Sequence, residues 1–113
     1  MADFAIETHT DGGVTHMALR GEFDLATVPA FEEALRKLEA DRPATLVIDL
    51  GELTFMDSSG LRALVMADER ARERQARLAI VPGPPSVRRV FEITKLDERL
   101  DLVDDPAVPS RAG

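Results

Sequence analysis

The sequence predicts an α/β fold, with a mixed β-sheet of four to five strands and helices packed on it. Three observations support this class. Two alternating segments flank a Gly-Gly turn near the start, two later apolar runs are typical of strands covered on both faces, and helical patterns alternate with those runs. The first two strands should therefore form a leading antiparallel hairpin. The later strands should be parallel, because strands that alternate with helices pair through crossover connections.

The hairpin is predicted from alternation. Strands are expected at residues 3–8 and 14–20, and Asp11-Gly12-Gly13 between them is a turn signal. The segment Gly21-Glu22-Phe23-Asp24 is expected to be a loop that leads into the first helix.

The remaining elements follow from periodicity and cap residues. In chain order they are a helix at about 27–40 capped by Thr27, a buried strand at 45–50, a helix at about 58–75, a buried strand at 78–81, a helix capped by Ser86, and a last short strand or turn with Leu100, Leu102 and Val103. We expect one domain over residues 1–103 and a flexible C-terminal tail over 104–113.

Composition excludes several classes of function. The 113 residues include 14 Lys or Arg and 21 Asp or Glu, so the formal net charge is −7 at pH 7. This excess of negative charge repels phosphate backbones, and nucleic acid is not expected as a partner. The absence of cysteine excludes disulfides and thiolate zinc sites, and His9 and His16 have no matching acidic set, so no metal or cofactor is expected.

The expected location is cytoplasmic. No apolar run reaches the roughly 20 residues that span a bilayer, so direct membrane insertion is not expected. The first residues lack the basic and then apolar pattern of a secretory signal.

The segment from Leu53 to Leu61 carries the most information about function. Its Asp57, Ser58 and Ser59 lie between a buried strand and an amphipathic helix, so they should sit at the helix N-terminus. In open α/β sheets, ligands and partners bind at the carboxyl ends of the strands. A hydroxyl there could cap the helix or accept a phosphoryl group, and these residue types are also the usual cap formers. The local sequence leaves both interpretations open.

The segment Phe55-Met56-Asp57-Ser58-Ser59-Gly60-Leu61 resembles the signature of the anti-sigma factor antagonists (anti-anti-sigma factors), the small stand-alone members of the STAS family. Three further segments are similar to this family in the same order: Leu19-Arg20-Gly21-Glu22-Phe23-Asp24, Val47-Ile48-Asp49-Leu50, and Val87-Arg88-Arg89-Val90-Phe91 with Thr94-Lys95-Leu96. The resemblance covers roughly residues 4 to 103 and implies the STAS fold.

The resemblance also implies a mechanism of partner switching. The unmodified protein would bind an anti-sigma factor that is itself an ATP-bound serine kinase, and so release the sigma factor. Phosphorylation of Ser58 by that kinase would end the binding, and a separate serine phosphatase would restore it. In this scheme the protein is not an enzyme, and we expect a monomer or weak dimer.

The same resemblance suggests six partner-binding residues: Asp24, Met56, Asp57, Ser58, Ser59 and Gly60. Asp24 would lie near the serine and orient the partner or the hydroxyl, or else act only as a turn or capping residue. Asp57 is expected to cap the second helix, and Ser59 to bond with backbone there. Met56 is expected near the surface, where it would either contact a partner or pack within the loop. Gly60 is expected to allow close approach of backbone to a partner or of helix to sheet.

Two other functions fit the sequence less well, and one alternative stays open. A serine hydrolase is disfavoured because the Gly-x-Ser-x-Gly elbow is absent. A receiver domain, with Asp57 as the phosphoryl acceptor, would need an acidic pair after the first strand, where this chain turns back as a hairpin. The alternative that stays open is a STAS subunit that is never phosphorylated, in a membrane lipid transporter or a stress-signalling scaffold.

One group of charged residues is interpreted as a solvated face, because its arginines are mixed with acidic residues: Arg70, Arg72, Arg74 and Arg77.

Overall fold

The computed structural model describes residues 4–105, which form a five-stranded sheet with three α-helices. The elements are β1 (Phe4–Asp11), β2 (Val14–Phe23), α1 (Val28–Ala40), β3 (Thr45–Met56), α2 (Ser58–Glu73), β4 (Arg77–Val81), α3 (Pro85–Ile93), a short 3₁₀ turn (Leu96–Glu98) and β5 (Asp101–Leu102). The strands follow one another across the sheet in chain order. β1 and β2 are antiparallel and every later pair is parallel, so the predicted α/β class and mixed sheet are confirmed.

The hairpin forms where the sequence predicts it. Gly12 and Gly13 make the turn with φ angles of +59° and +83°, a left-handed conformation that glycine adopts at little cost. Across the hairpin, His9 faces His16 with ring centroids 4.5 Å apart.

The helices cover one face of the sheet. Strand residues such as Met17 and Ile48 point into a single core, where they meet Phe31 of α1, Leu64 of α2 and Phe91 of α3, all of them fully buried. Strand residues that point to the opposite face of the sheet form a second, smaller cluster around Val47 and Ala79. The core thus holds the first turn of α2 against the sheet.

Two predicted boundaries are wrong in a way that matters for the site. β2 continues through Phe23, so most of the predicted loop at residues 21–24 is strand. β3 continues from the predicted end at Leu50 to Met56. The two strands stay paired across two register irregularities, and Thr54 Oγ1 donates to the Gly21 carbonyl at 3.2 Å. Interstrand pairing extends both strands beyond the point where the apolar run ends.

Two predicted caps also differ from the structure. α3 begins at Pro85 with Pro84 as its N-cap, so Ser86 lies inside the first turn rather than capping it. Thr27 does occupy the N-cap position of α1 but makes no cap hydrogen bond. Its hydroxyl instead donates to the Glu22 carbonyl at 3.0 Å and accepts from the Asp24 N–H at 2.8 Å, because the preceding loop offers closer partners.

The interpretation of the arginines as a solvated face is confirmed for Arg72, whose side chain is 60% exposed, and is wrong for the less exposed Arg70, Arg74 and Arg77. Arg70 and Arg74 both reach Glu39 of α1, at 3.1 and 3.6 Å. Arg72 bonds Asp68 within α2 at 2.8 Å, and Arg77, which lies on β4, bonds Asp101 of β5 at 2.6 Å. Arg70, Arg74 and Arg77 connect neighbouring elements, which charge pattern alone could not show.

The predicted flexible tail at 104–113 lies mostly outside the described residues, so the division at residue 103 stays a prediction. Of its residues, Asp104 makes an ion pair with Arg88 at 3.2 Å.

Candidate functional site

The candidate site lies where β2 and β3 end side by side. Phe23 and Met56, the last residues of the two strands, are register partners, and the Asp57 N–H donates to the Phe23 carbonyl at 3.2 Å. Asp57 is the single residue between β3 and α2. The carboxyl end of the sheet therefore leads directly into the N-terminus of α2, where open α/β sheets bind ligands and partners.

Asp57 is the N-cap of α2, as predicted. Its backbone is extended (φ −103°, ψ −174°), and its Oδ1 accepts hydrogen bonds from the Ser59 N–H at 2.9 Å and the Gly60 N–H at 3.0 Å. A helix N-terminus leaves its first amides without intrahelical partners, and the cap satisfies two of them. The carboxylate thus already occupies the position that an anion would take at those two amides.

Ser58 is the first residue of α2 and its side chain is exposed. Among residues 4–105 its hydroxyl has no hydrogen-bond partner, because Asp57 makes the cap next to it. The capping interpretation of the Asp-Ser-Ser-Gly segment therefore applies to Asp57 and not to Ser58. A hydroxyl that is exposed and unbonded is available to a reagent or a partner.

Gly60 lies where the first turn of α2 approaches the end of the sheet closely. A Cβ at this position would lie 2.7 Å from the Phe23 carbonyl oxygen, 2.9 Å from the Phe23 ring and 3.1 Å from the Met56 side chain. Of the two predicted kinds of close approach, the structure shows that of helix to sheet. Ser59, half-buried beside it, differs from the expected bond to backbone, because its N–H donates to the Asp57 side chain.

The expected surface position of Met56 is wrong. Its side chain is buried in the main core, with 6% of its area exposed. Met56 alternates with the exposed Phe55 at the end of β3, and the alternation of a paired strand directs it toward the helices. Contact of the Met56 side chain with a partner would require the core to open.

Asp24 closes the turn after β2. Its Oδ1 accepts from the Ala26 N–H at 3.0 Å and from the Thr27 N–H at 3.2 Å. It directly follows Phe23, as Asp57 directly follows Met56, so the two carboxylates extend from neighbouring strand ends. These bonds give Asp24 a turn role, and a role of Asp24 toward a partner stays a prediction.

Two exposed apolar side chains at this end of the sheet were not predicted as site residues. Leu25, directly after Asp24, is 73% exposed, and Phe55, two residues before Asp57, is 49% exposed. Large exposed apolar residues are common at protein interfaces. The sequence offered no signal for them, because Phe23 and Met56, equally apolar and one or two positions away, are buried.

The described residues offer no obvious site for a metal. Residues 4–105 contain no group of three or more His, Asp or Glu side chains placed to hold an ion. In the same range, none of the helices has the length and apolar character needed to cross a membrane.

Comparison with known proteins agrees with this geometry. The family model described as "Mlab, STAS domain" matches residues 6–104. The anti-sigma-F factor antagonist RsfB of Mycobacterium tuberculosis is 34% identical over 90 residues, which is 80% of this chain and 73% of that protein.

Two solved structures are similar in fold. The crystal structure of an anti-sigma factor antagonist from Mycobacterium paratuberculosis superposes with a TM-score of 0.84 at 31% identity, over 91% of this chain and 87% of that chain. The anti-sigma factor antagonist SpoIIAA in its unphosphorylated form superposes with a TM-score of 0.68 at 20% identity, over 91% of this chain and 89% of that chain. A structure of Bacillus SpoIIAA in the phosphorylated form gives 0.67 at 20% identity, over 89% and 91%. At that identity SpoIIAA informs the fold alone.

Proposed function

This chain belongs to the STAS-domain family of anti-sigma factor antagonists, and from that premise we propose that it binds an anti-sigma factor through the surface around Ser58 and is released when Ser58 is phosphorylated. The observation that carries the proposal is the Ser58 hydroxyl, which is exposed and unbonded while Asp57 caps the helix. A hydroxyl that the fold does not need can be modified without loss of the fold.

The partner in this proposal is an anti-sigma factor with serine kinase activity. The kinase supplies ATP, the metal ion and the catalytic base, and this chain is its protein substrate rather than an enzyme. The Ser58 oxygen attacks the γ-phosphorus, the new O–P bond forms as the bond to the β,γ-bridging oxygen breaks, and ADP leaves. The hydroxyl proton goes to the base of the kinase. A separate serine phosphatase hydrolyses the phosphoserine and restores the binding form.

Electrostatics explain how one group could end the binding. Phosphorylation adds about −1.5 to −2 charges, so the net charge moves from −7 to roughly −9. On the free protein the new group stays in water. In a docked interface the same dianion would be desolvated beside the carboxylates of Asp24 and Asp57, and like charges there repel. A loss of about 3 kcal/mol in binding free energy already corresponds to more than a 100-fold weaker affinity.

The relatives support the partner class. RsfB and the protein from Mycobacterium paratuberculosis, both above 30% identity, are named as anti-sigma factor antagonists. These names describe those proteins, and their transfer to this chain is part of the proposal.

Incubation with the candidate anti-sigma kinases of the same genome and ATP, followed by mapping of the phosphosite, tests the proposal. Phosphate on Ser58 that survives hydroxylamine supports it, because an acyl phosphate on Asp57 would be cleaved. Absence of phosphate from Ser58 with every candidate would overturn it. Co-purification tests the alternative: a transporter ATPase in place of a kinase and its sigma factor would indicate a STAS subunit that is never phosphorylated.

A further inference from the structure

Arg62 lies one helical turn after Ser58 on α2, and its side chain is exposed. Side chains four residues apart on a helix are neighbours, with about 5–6 Å between their Cβ atoms. The two side chains therefore share one face of the helix at the candidate site.

Arg62 has no acidic partner in the part of the chain that the structure describes. Its neighbours three and four positions away on the helix are Ser58, Ser59, Val65 and Met66, none of which is acidic. Arg70 and Arg72 of the same helix, and Arg74 at its C-cap, are all engaged in ion pairs. Arg62 is the α2 arginine whose guanidinium is available.

The backbone amides at the start of α2 can donate fewer hydrogen bonds to a phosphoryl group on Ser58 than the amides of an uncapped helix could. The N–H groups of Ser59 and Gly60 already donate to the Asp57 carboxylate. That carboxylate is also a like charge beside the dianion, so the fold supplies repulsion at this point. A nearby cation is the group that would offset it.

We propose that Arg62 forms an ion pair with phosphoserine at position 58 and so holds the phosphoryl group along the exposed face of α2. The inference rests on the proposed function, because it concerns the modified state of the same residue. The helix already contains an example of this geometry, since Asp68 accepts from Arg72, four residues later, at 2.8 Å. The Ser58–Arg62 pair has the same order of acid and arginine, which is the more favourable one for the helix dipole.

The test uses the full chain with phosphoserine incorporated at position 58 during translation, so that no kinase is needed. Phosphorus-31 NMR follows the second ionisation of the phosphate against pH. Because Arg62 favours the dianion, Arg62→Gln should raise the pKa of the phosphoserine. Loss of an ion pair of the usual strength for residues i and i+4 should make the acid dissociation constant of the phosphoserine about twofold smaller in Arg62→Gln. Arg62→Lys, which keeps the charge, should titrate close to the unsubstituted protein.

Arg36→Gln is the matched control. Arg36 is also an exposed arginine without an ion pair among the described residues, but it lies on α1, eight residues beyond the first residue of that helix. Arg36→Gln should leave the titration of the phosphoserine unchanged. A titration of Arg62→Gln that matches the unsubstituted protein, an equal change in Arg36→Gln, or an Arg62→Lys that behaves like Arg62→Gln would each overturn the pair. None of these results depends on whether a kinase modifies Ser58, so failure of the pair and failure of the proposed function are separate outcomes.

Discussion

The Phe23 carbonyl oxygen accepts a hydrogen bond from the Asp57 N–H at 3.2 Å and lies 2.7 Å from the point where a Cβ on Gly60 would stand. The end of β2 thus fixes the start of α2 in two ways, by a hydrogen bond and by close packing. The site around Ser58 depends on this contact.

Gly60→Ala should destabilise the protein by about 1–3 kcal/mol, since the added methyl overlaps backbone that cannot move independently. In an unconstrained helix the same change would stabilise by up to about 1 kcal/mol, so the sign of the effect reports the packing. Urea denaturation measures it. Gly51→Ala is the control, because its methyl would meet only the Asp49 side chain, at 3.0 Å. A Gly60→Ala protein as stable as Gly51→Ala would contradict the close approach.

Asp57→Ala should lower the free energy of unfolding by about 0.5–2 kcal/mol, the usual cost of losing an N-cap. Asp57→Asn should retain most of that stability, because its side-chain oxygen can still accept from the Ser59 and Gly60 amides. Denaturation midpoints of the two variants give the comparison. If the Asn variant were as unstable as the Ala variant, the charge of Asp57 rather than its hydrogen bonds would stabilise the helix.

Glu39→Gln should cost about 1 kcal/mol of stability. The Glu39 carboxylate, 14% exposed, binds both Arg70 and Arg74, and this partly buried network joins α1 to α2. Glu33 is an exposed glutamate of the same helix without an ion pair in the described range. Glu33→Gln should therefore stay within about 0.5 kcal/mol of the unsubstituted protein. Equal stability of the two variants in thermal unfolding would show that the network contributes nothing.

Leu25→Ala and Phe55→Ala should each weaken binding to the anti-sigma partner about tenfold, a loss of roughly 1.4 kcal/mol, without lowering stability. Both side chains are exposed beside the site, so they are free to fill pockets on a partner. Ile93→Ala is a matched control, because Ile93 is as exposed as Leu25, at 73%, and lies at the far end of α3. Calorimetric titration with the anti-sigma partner measures the affinity of each variant. Equal affinities for all three variants would place the interface elsewhere.

The sequence predicted the fold because its patterns are local and mutually consistent. The Gly12-Gly13 turn, the apolar run at 45–50 and the helical spacing of Leu61 and Leu64 each indicate one element, and the structure contains all of them. The strand ends were misplaced because β2 and β3 extend through hydrogen bonds to each other, across Gly21 and Gly51, where composition resembles a loop.

At the site, the sequence predicted the helix cap but not the burial of the neighbouring residues. Asp57 was correctly predicted as the cap, since cap chemistry depends on residues two and three positions away. The burial of Met56 and the exposure of Phe55 depend on which face of β3 meets the helices, and that is decided by pairing with β2. The cross-element partners of Arg70 and Arg77 likewise lie too far along the chain for charge pattern to identify.

The most direct test compares the dissociation constant of the anti-sigma kinase for the unmodified chain and for the chain carrying phosphoserine at position 58. The phosphorylated chain should bind at least 100-fold more weakly, a loss of about 3 kcal/mol. Equal affinity of the two forms would contradict it, because Ser58 would then be an exposed residue of the first helical turn with no role in choosing the partner.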